Sequence, residues 1–387
     1  MTERRARLST RHRLAPATRA SDPADAARSL VCLHATDPAT VYLSAWARMD
    51  RMQVADLDQA LYDERSLVKH LSMRRTLFVF PRETMAVAQS GASERVADSE
   101  RRRLIKMVDK AGLYPSAERW LTDASAEVLK ALADGREASS SELREEIPLL
   151  EGAIEYGKGK SWGGMISVGP QVLTVLSAGG QVVRGSNSGS WTSSRPRWAS
   201  MEGWLGETLD PPPAHEGVAG LVERWLRAFG PGTAADIKWW LGQTVGAVKG
   251  ALRDLDAVEV ELVGGTSGYL LPDDLEPTPA PEPFARLLPP LDPTTMGWSE
   301  RDWYLGPYKE QLFDSNGNGG PTVWWDGGIV GGWRQDDAGA VELQMLEDPG
   351  REALEAIEAE AARLTDWFEG TRVLPRFPSP LSKERAS

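Results

Sequence analysis

The sequence predicts an α+β fold with three tandem winged-helix modules followed by a C-terminal β-barrel-like unit and a closing helix. Apolar residues at helical spacing are followed in the second and third modules by two short strands around a polar or glycine-rich tip, and in the first module by the strand Thr76–Phe80. A proline-rich linker, Pro277 to Pro283, then precedes a strand-rich remainder. The predicted units are a basic N-terminal arm (1–20), a first winged helix with a helical extension (21–112), a second with a basic wing (113–213), a third (214–276) and the β-barrel-like unit with its closing helix (284–377).

The composition is that of a globular protein in a reducing compartment, and we expect a cytoplasmic location. Its 387 residues suffice for about two to four domains, and 41% hydrophobic with 26% charged residues are ordinary proportions. The single cysteine, Cys32, excludes an internal disulfide and a cysteine-cage metal site. We expect no signal peptide and no membrane span, since no apolar run of about 18 residues occurs. With a formal net charge of -12, any surface for nucleic acid must be local.

The predicted N-terminal arm is rich in arginine. Only one acidic residue, Glu3, accompanies six arginines: Arg4, Arg5, Arg7, Arg11, Arg13 and Arg19. Two interpretations stay open, a solvated tail or an arm that reaches phosphate. Both place these residues outside a folded core.

The first module is predicted from helices on both sides of a sharp break. Asp37 or Thr36 is a good N-cap at this break, and Pro38 is a good first helical residue. We predict helices over Asp22–Leu33, Ala39–Arg48 and Asp56–Glu64, a helical segment over Leu67–Met73, a strand over Thr76–Phe80 and a basic helix over Glu83–Lys110.

The second module contains a segment, Tyr156 to Trp198, that has no Asp or Glu. Helices are predicted over Ala117–Ala133, Glu142–Glu146 and Ile166–Ser177, and the hairpin from Gln181 to Trp198 is the wing. In a winged helix the third helix docks on DNA and the wing touches the backbone beside it. An acidic protein with such a segment is expected to turn it toward a polyanion. The predicted DNA contacts here are Lys158, Lys160, Arg184, Asn187, Arg195 and Arg197.

The third module repeats the order of elements but is acidic, so we expect it to serve in packing. Its predicted helices are Glu216–Phe229, Ala234–Leu241 and Thr244–Leu255, and its strands are Val258–Val263 and Tyr269–Leu271. After the linker, Phe284 to Leu346 is predicted to be all strand, with an Asp326-Gly327 hairpin turn. Arg351 to Phe368 is the amphipathic closing helix.

Four motifs together resemble the bacterial winged-helix DNA-binding family that includes the AlkZ-type alkylpurine DNA glycosylases. They are Leu33–Arg48, Met73-Arg74-Arg75-Thr76-Leu77-Phe78, Leu291-Asp292-Pro293 with Gly297-Trp298, and residues 316–324, Asn-Gly-Asn-Gly-Gly-Pro-Thr-Val-Trp. The resemblance extends over about Asp22 to Phe368. It implies three tandem winged helices plus a C-terminal β-barrel, arranged around duplex DNA. The implied reaction is excision of alkylated purines, including bulky or crosslinked adducts, without a metal or organic cofactor. The three tandem modules and the barrel suggest a monomer that wraps a damaged site.

The resemblance also implies where catalysis takes place. The family signature is two polar residues, one apart, before a helix: Gln-x-Gln or Gln-x-Asp. The matching positions here are His34-Ala35-Thr36, which depart from that pattern. An N7- or N3-alkylated purine leaves as a neutral base, so the protein has to stabilise an oxocarbenium-like sugar and place a water against C1′.

His34, Thr36 and Asp37 are therefore the candidate catalytic residues. His34, with an unperturbed pKa of about 6.5, is the candidate base, Thr36 holds the water, and Asp37 stabilises the cationic sugar. The competing interpretation is a buried structural histidine beside a helix cap formed by Thr36 or Asp37. Arg74 and Arg75 either hold phosphate or form ion pairs.

Two function classes stay open, a monofunctional glycosylase and a non-enzymatic winged-helix DNA-binding protein, either a lesion sensor or a transcription regulator. The tandem modules favour the glycosylase, and the His-Ala-Thr departure favours the DNA-binding protein. A protein-interaction scaffold is a weaker third alternative, suggested by the net acidity. No metal site, P-loop or Gly-x-Ser-x-Gly nucleophile is predicted from these motifs.

Overall fold

One order of elements occurs three times in the computed structural model, which describes residues 2–157, 159 and 163–383. Each unit has a helix, a short extended segment, two further helices and a β-hairpin, and the extended segment pairs with the second strand of the hairpin. Lys158 and Lys160 lie outside the described residues. Within those residues, no helix has the length and apolar content needed to cross a bilayer.

The first unit is built around a three-stranded antiparallel sheet with β3 at its centre. Its elements are α2 (Pro23–Arg28), β1 (Leu33–His34), α3 (Pro38–Trp46), α4 (Val54–Asp58) with a π-helical turn (Gln59–Asp63), β2 (Leu67–Ser72) and β3 (Thr76–Pro81). The helical extension follows as α5 (Met85–Ala88), a second π-helical turn (Gln89–Ser93) and α6 (Glu94–Ala111). The helix predicted over Leu67–Met73 is wrong, because β2 pairs along its length with the apolar strand β3.

The second unit has its own hydrophobic core, which includes Trp120, Val172 and Trp198. Its elements are α7 (Ala117–Ala131), α8 (Ser140–Glu146), β4 (Ala153–Tyr156), β5 (Gly164–Ser167), α9 (Val168–Ala178), β6 (Val182–Asn187) and β7 (Pro196–Ser200), followed by α10 (Met201–Leu205). The Ala138 bridge to Trp198 is the extended segment of this unit. The helix predicted over Ile166–Ser177 is confirmed as α9.

The β6–β7 hairpin of this unit is buried on both faces. Val182 and Trp198 lie in the core of the second unit, whereas Val183 and Ala199 belong to the main core of the molecule. The hairpin therefore joins the second unit to the first and does not project as a free wing.

The third unit contains α11 (Ala214–Phe229), α12 (Ala234–Leu241), α13 (Val245–Asp254), β8 (Val258–Glu261) and β9 (Ser267–Leu270). Gly232 forms the bridge to Tyr269. Thr233 and Asp236 form a capping box at the start of α12, which fixes where that helix begins. This unit shares the main core with the first unit and the C-terminal part of the chain.

The C-terminal part is a four-stranded antiparallel sheet in the order β10-β11-β12-β13. Its elements are β10 (Ala285–Leu288), α14 (Pro293–Met296), α15 (Asp302–Leu305), α16 (Lys309–Leu312), β11 (Thr322–Trp325), β12 (Gly328–Gln335), β13 (Val341–Met345), α17 (Arg351–Phe368) and α18 (Pro380–Lys383). The sheet is open across the described residues, so the predicted β-barrel-like closure is not seen. The prediction that Phe284 to Leu346 is all strand is also wrong, because α14, α15 and α16 lie between β10 and β11. The apolar side of α17, with Ile357 and Leu364 buried, packs into the main core.

The N-terminal arginines are part of the fold, which corrects the prediction of a solvated or phosphate-seeking arm. Residues Glu3–Arg11 form α1. Arg7 is buried, 3.1 Å from the Asp274 carboxylate, and Arg11 approaches the same carboxylate at 2.6 Å. Arg4 lies over the Trp303 ring at 4.3 Å. Because Arg4, Arg7 and Arg11 make these contacts within the protein, they do not form an arm that reaches phosphate.

Candidate functional site

The His34-Ala35-Thr36 segment links the end of an edge strand to a buried helix. His34 lies opposite Phe78 in the β1–β3 pair, and the Ala35 amide donates to the Leu77 carbonyl at 2.9 Å. Neighbouring residues of a strand point to opposite faces of the sheet. His34 and Ala35 therefore face different sides, and each side has its own set of basic residues.

His34 is 9% exposed and sits edge-on to Phe78, with 5.4 Å between ring centroids. Burial lowers the pKa of His34 to about 3, with a further lowering by Arg74 and an opposing effect of Asp292. The Thr36 amide donates to Nδ1 at 3.4 Å, which assigns the proton of the neutral ring to Nε2. At neutral pH His34 is thus a neutral hydrogen-bonding group and a much weaker base than its ordinary pKa implies.

Asp37 is the N-cap of α3, as one of the sequence interpretations has it. Its carboxylate accepts from the Ala39 amide at 3.3 Å and from the Arg376 amide at 3.0 Å. Burial raises the pKa of Asp37 against the lowering effect of these bonds. The Arg376 guanidinium donates to the Thr36 carbonyl at 3.2 Å, so a C-terminal residue covers this loop.

Thr36 is the half-exposed member of the predicted catalytic set. Its hydroxyl has no hydrogen-bond partner among the residues that the structure describes. Because Asp37 provides the cap, the hydroxyl of Thr36 is not used to begin the helix. It remains available to hold a water molecule.

A buried ion pair fixes α3 and thereby the loop before it. Arg48 and Asp292 are fully buried with 2.8 Å between guanidinium and carboxylate. Ser44 donates to the same carboxylate at 2.7 Å, and the Thr40 hydroxyl donates to the Pro290 carbonyl at 2.8 Å. Two of the motifs that carry the family resemblance are therefore in direct contact, one on α3 and the other at the start of α14.

Arg74 and Arg75 follow β2 in a tight turn and have different surroundings. Arg75 forms an ion pair with Glu100 at 2.8 Å, which is the competing account from the sequence. The Arg74 guanidinium stacks on Trp239 of α12 at 4.2 Å, and Arg301 lies over the same ring at 5.1 Å. Neither Arg74 nor Arg301 has an ion-pair partner within the described part of the chain. Of these two cations, Arg74 lies close enough to His34 to lower the pKa of His34.

The predicted contacts on the β6–β7 hairpin separate into engaged and free side chains. Asn187 closes the hairpin tip by donating to two backbone carbonyls and accepting from the Arg195 amide at 2.7 Å. Arg197 forms an ion pair with Glu142 at 3.0 Å. The exposed guanidinium of Arg195 has no partner among residues 2–157, 159 and 163–383.

A narrow pocket opens on the Ala35 side of the sheet, between the first unit and the hairpin. Lys69 of β2 and Arg184 of β6 line it together with Ala35, Tyr62 and Trp191. Lys69 Nζ donates to the Tyr62 hydroxyl at 2.5 Å. Burial and the neighbouring Arg184 lower the pKa of Lys69 to about 8. None of the described lining residues is acidic.

Lys69, Arg301 and Arg376 are residues that the sequence reasoning missed. Had residues 67–72 been assigned as a strand, the alternation of its side chains would have shown that Lys69 faces the same side of the sheet as Leu77 and Ala35. Arg301 and Arg376 carry no local signal, since they approach the loop only through the packing of the C-terminal part. Within the described ranges, no group of three or more His, Cys, Asp or Glu side chains is arranged to hold a metal ion.

Comparisons with known proteins give a family and a fold. The sequence model of the AlkZ-like DNA glycosylases matches residues 27–367. Among solved structures, the DNA glycosylase AlkZ of Streptomyces sahachiroi is similar with a TM-score of 0.73 and 19% identity, covering 96% of this chain and 98% of that chain. At this identity the likeness establishes the fold alone. A comparison with curated protein sequences finds no match.

Proposed function

The chain belongs to the AlkZ-like DNA glycosylase family, and on that premise we propose that it hydrolyses the N-glycosidic bond of alkylated purines in duplex DNA. Bulky and crosslinked adducts are included in this proposal. The protein acts as a monomer, and its three repeated units serve as winged-helix modules that hold the duplex. The catalytic loop is His34-Ala35-Thr36.

The observation that carries the proposal is a set of unpaired cations around this loop. This set comes from four parts of the chain, and none of its members forms an ion pair within the described residues. The members are Lys69, Arg74, Arg184, Arg301 and Arg376. Arg75 and Arg197, by contrast, are paired. In a protein of net charge -12, such a set indicates an external anion. The DNA backbone is the anion that a member of this family binds.

Excision of an alkylated purine requires little acid or base catalysis. Alkylation at N7 or N3 weakens the bond to the purine, which departs as a neutral molecule. Thr36 then holds the attacking water with its free hydroxyl, and neutral His34 orients it through a hydrogen bond. Because the pKa of His34 is about 3, its main contribution is to position the water. The proton that this water loses when its oxygen bonds to C1′ passes to bulk solvent.

The competing function is DNA binding without catalysis. The specific observation in its favour is that a weakly basic histidine and a threonine stand where the resemblance implies two carboxamides or a carboxamide and a carboxylate. The cation set serves either function. Only base release separates them.

The experiment is single-turnover incubation with duplex DNA carrying 7-methylguanine, followed by alkali cleavage at abasic sites. The wild type should release the base well above the spontaneous rate. Thr36→Val should reduce the rate roughly 10²-fold, within the range for positioned polar groups, while duplex affinity stays within a few-fold. Thr122→Val, at an exposed helix position of α7, is the matched control and should retain the full rate.

Bound duplex without release of 7-methylguanine or a bulkier N3-alkyladenine adduct would contradict the glycosylase and leave the DNA-binding function. Equal rates for Thr36→Val and Thr122→Val would remove Thr36 from the catalytic loop.

A further inference from the structure

The pocket between β2 and the β6–β7 hairpin contains two like charges, and none of the lining residues that the structure describes is acidic. We propose that Lys69 and Arg184 form a binding site for one phosphate group, and that in the DNA complex it holds a backbone phosphate. The first unit, through Lys69, and the hairpin, through Arg184, then bind the same phosphate. The choice of DNA as the source of the phosphate rests on the proposed function, whereas the phosphate site itself does not.

The first evidence for this site is the environment of Arg184. Its Nε is buried and has no hydrogen-bond partner among the described residues. The guanidinium carbon lies 5.3 Å from the centroid of the Trp198 ring. Burial and the nearby Arg376 both lower the pKa of Arg184. A buried guanidinium nitrogen without a hydrogen-bond partner is costly unless a ligand completes its hydrogen bonds.

The second evidence is the environment of the Lys69 amine. Its amine bonds to the Tyr62 hydroxyl and lies 4.7 Å from the centroid of the same ring. The acidic residue that acts on it, Asp58, lies outside the pocket lining and accepts from the Tyr42 hydroxyl at 2.6 Å. Its effect is outweighed by burial and by Arg184. Two cations that repel each other at one site are stabilised by an anion between them.

The size of the pocket selects a small ligand group. Its cavity volume is about 20 Å³, which is room for one or two water molecules. The nonbridging oxygens of a phosphate fit such a space, and a purine ring does not. The site therefore takes a phosphate and leaves the base outside.

The hairpin side of the pocket is held in place before any ligand arrives. Trp191 at the hairpin tip packs against Tyr42 of α3 at 5.6 Å and Trp367 of α17 at 5.3 Å between ring centroids. Asn187 fixes the tip through its own hydrogen bonds. The two cations are thus presented from two rigid elements, as a preorganised anion site requires.

The test compares two double variants that remove the same charge. Lys69→Gln/Arg184→Gln empties the pocket of cations, and Lys130→Gln/Arg351→Gln removes two exposed ones. Duplex affinity is measured against salt concentration. The pocket variant should bind roughly tenfold more weakly, and its slope of log K against log salt should fall by about 1, the contribution of one phosphate. The exposed variant should keep the wild-type slope.

Inorganic phosphate supplies a second readout that needs neither DNA nor base excision. At equal ionic strength, phosphate should raise the unfolding temperature of the wild type above its value in chloride. The pocket variant should show no such rise, while unfolding in chloride at the wild-type temperature or above it. If the double variant fails to fold, Lys69→Met keeps the side-chain length and should also lose the phosphate effect.

Failure of the phosphate site and failure of the proposed glycosylase function would give different results. A phosphate effect confined to the wild type, with an unchanged DNA slope in the pocket variant, would overturn the backbone assignment in favour of free phosphate. Equal phosphate effects and equal slopes in both double variants would overturn the site altogether. Wild-type DNA binding without base excision contradicts the glycosylase and leaves the phosphate site supported.

Discussion

Acidification should destabilise the folded protein through three of its four histidines. His12, His34 and His70 are buried, and His215 is exposed. Burial lowers the pKa of His34 to about 3 and of His70 to about 4, and lowers that of His12 well below its ordinary value. Between these values and the unfolded pKa of about 6.5, the unfolded chain binds protons that the folded chain excludes. The free energy of unfolding therefore falls as the pH drops from 6.5 toward 4.

The size of the effect follows from the same pKa differences. Each buried histidine contributes a slope of about 1.4 kcal/mol per pH unit once the pH is well below 6.5. Between pH 7.5 and pH 5 this amounts to about 2 kcal/mol for each of His34 and His70, or about 4 kcal/mol together, and His12 acts in the same direction. Domains are stable by roughly 5–15 kcal/mol, so this loss is a large part of the total.

The assay is urea unfolding followed by tryptophan fluorescence at pH 7.5 and pH 5. His34→Gln and His70→Gln should each reduce the difference between the two pH values by about 2 kcal/mol. His215→Gln, at a side chain that is 74% exposed, is the matched control and should leave the difference unchanged. Unfolding free energies of His34→Gln with the full wild-type pH dependence would refute a neutral, buried His34.

Two further predictions concern the contacts that position the site. Asp292→Ala should lower the free energy of unfolding by about 3–5 kcal/mol in urea titrations, because Arg48 would remain buried without its partner. A double variant, Arg48→Met/Asp292→Leu, should recover most of that loss, and no recovery would contradict a charge-based explanation. Trp191→Ala should cost about 1–2 kcal/mol and raise hydrogen exchange in the hairpin, since its packing is half-buried. Val263→Ala, at a side chain that is 97% exposed in the third unit, should cost almost nothing, and equal losses would mean that the hairpin tip is not docked.

The elements with strong local signals were predictable from the sequence. The Ser139-to-Glu142 capping box begins α8, as its residue types indicate. Asp326 and Gly327 form the hairpin turn between β11 and β12, and both have positive φ, as the Asp-Gly pair predicts. Asp37 caps α3 for the same kind of reason: a short carboxylate satisfies the first helical amides.

The rest depended on tertiary contacts. Residues 67–72 have helical propensity but form β2, because Arg74 and Arg75 adopt φ values of 54° and 60° and turn the chain back onto β3. Arg7 and Arg11 lie against the carboxylate of Asp274, more than 260 residues away. The Lys69–Arg184 pocket combines two units whose contact no local pattern reveals. Propensity and charge composition are local quantities, and these features are not.

The most direct test of the account is a structure of the protein with duplex DNA carrying 2′-fluoro-7-methyldeoxyguanosine, which resists base release. We expect the lesion C1′ beside a water molecule that is held at about 3 Å by the Thr36 hydroxyl, with one backbone phosphate between Lys69 and Arg184. A duplex bound on another surface, with the lesion roughly 10 Å or more from Thr36, would contradict it, since such a distance exceeds the reach of any single bridging water.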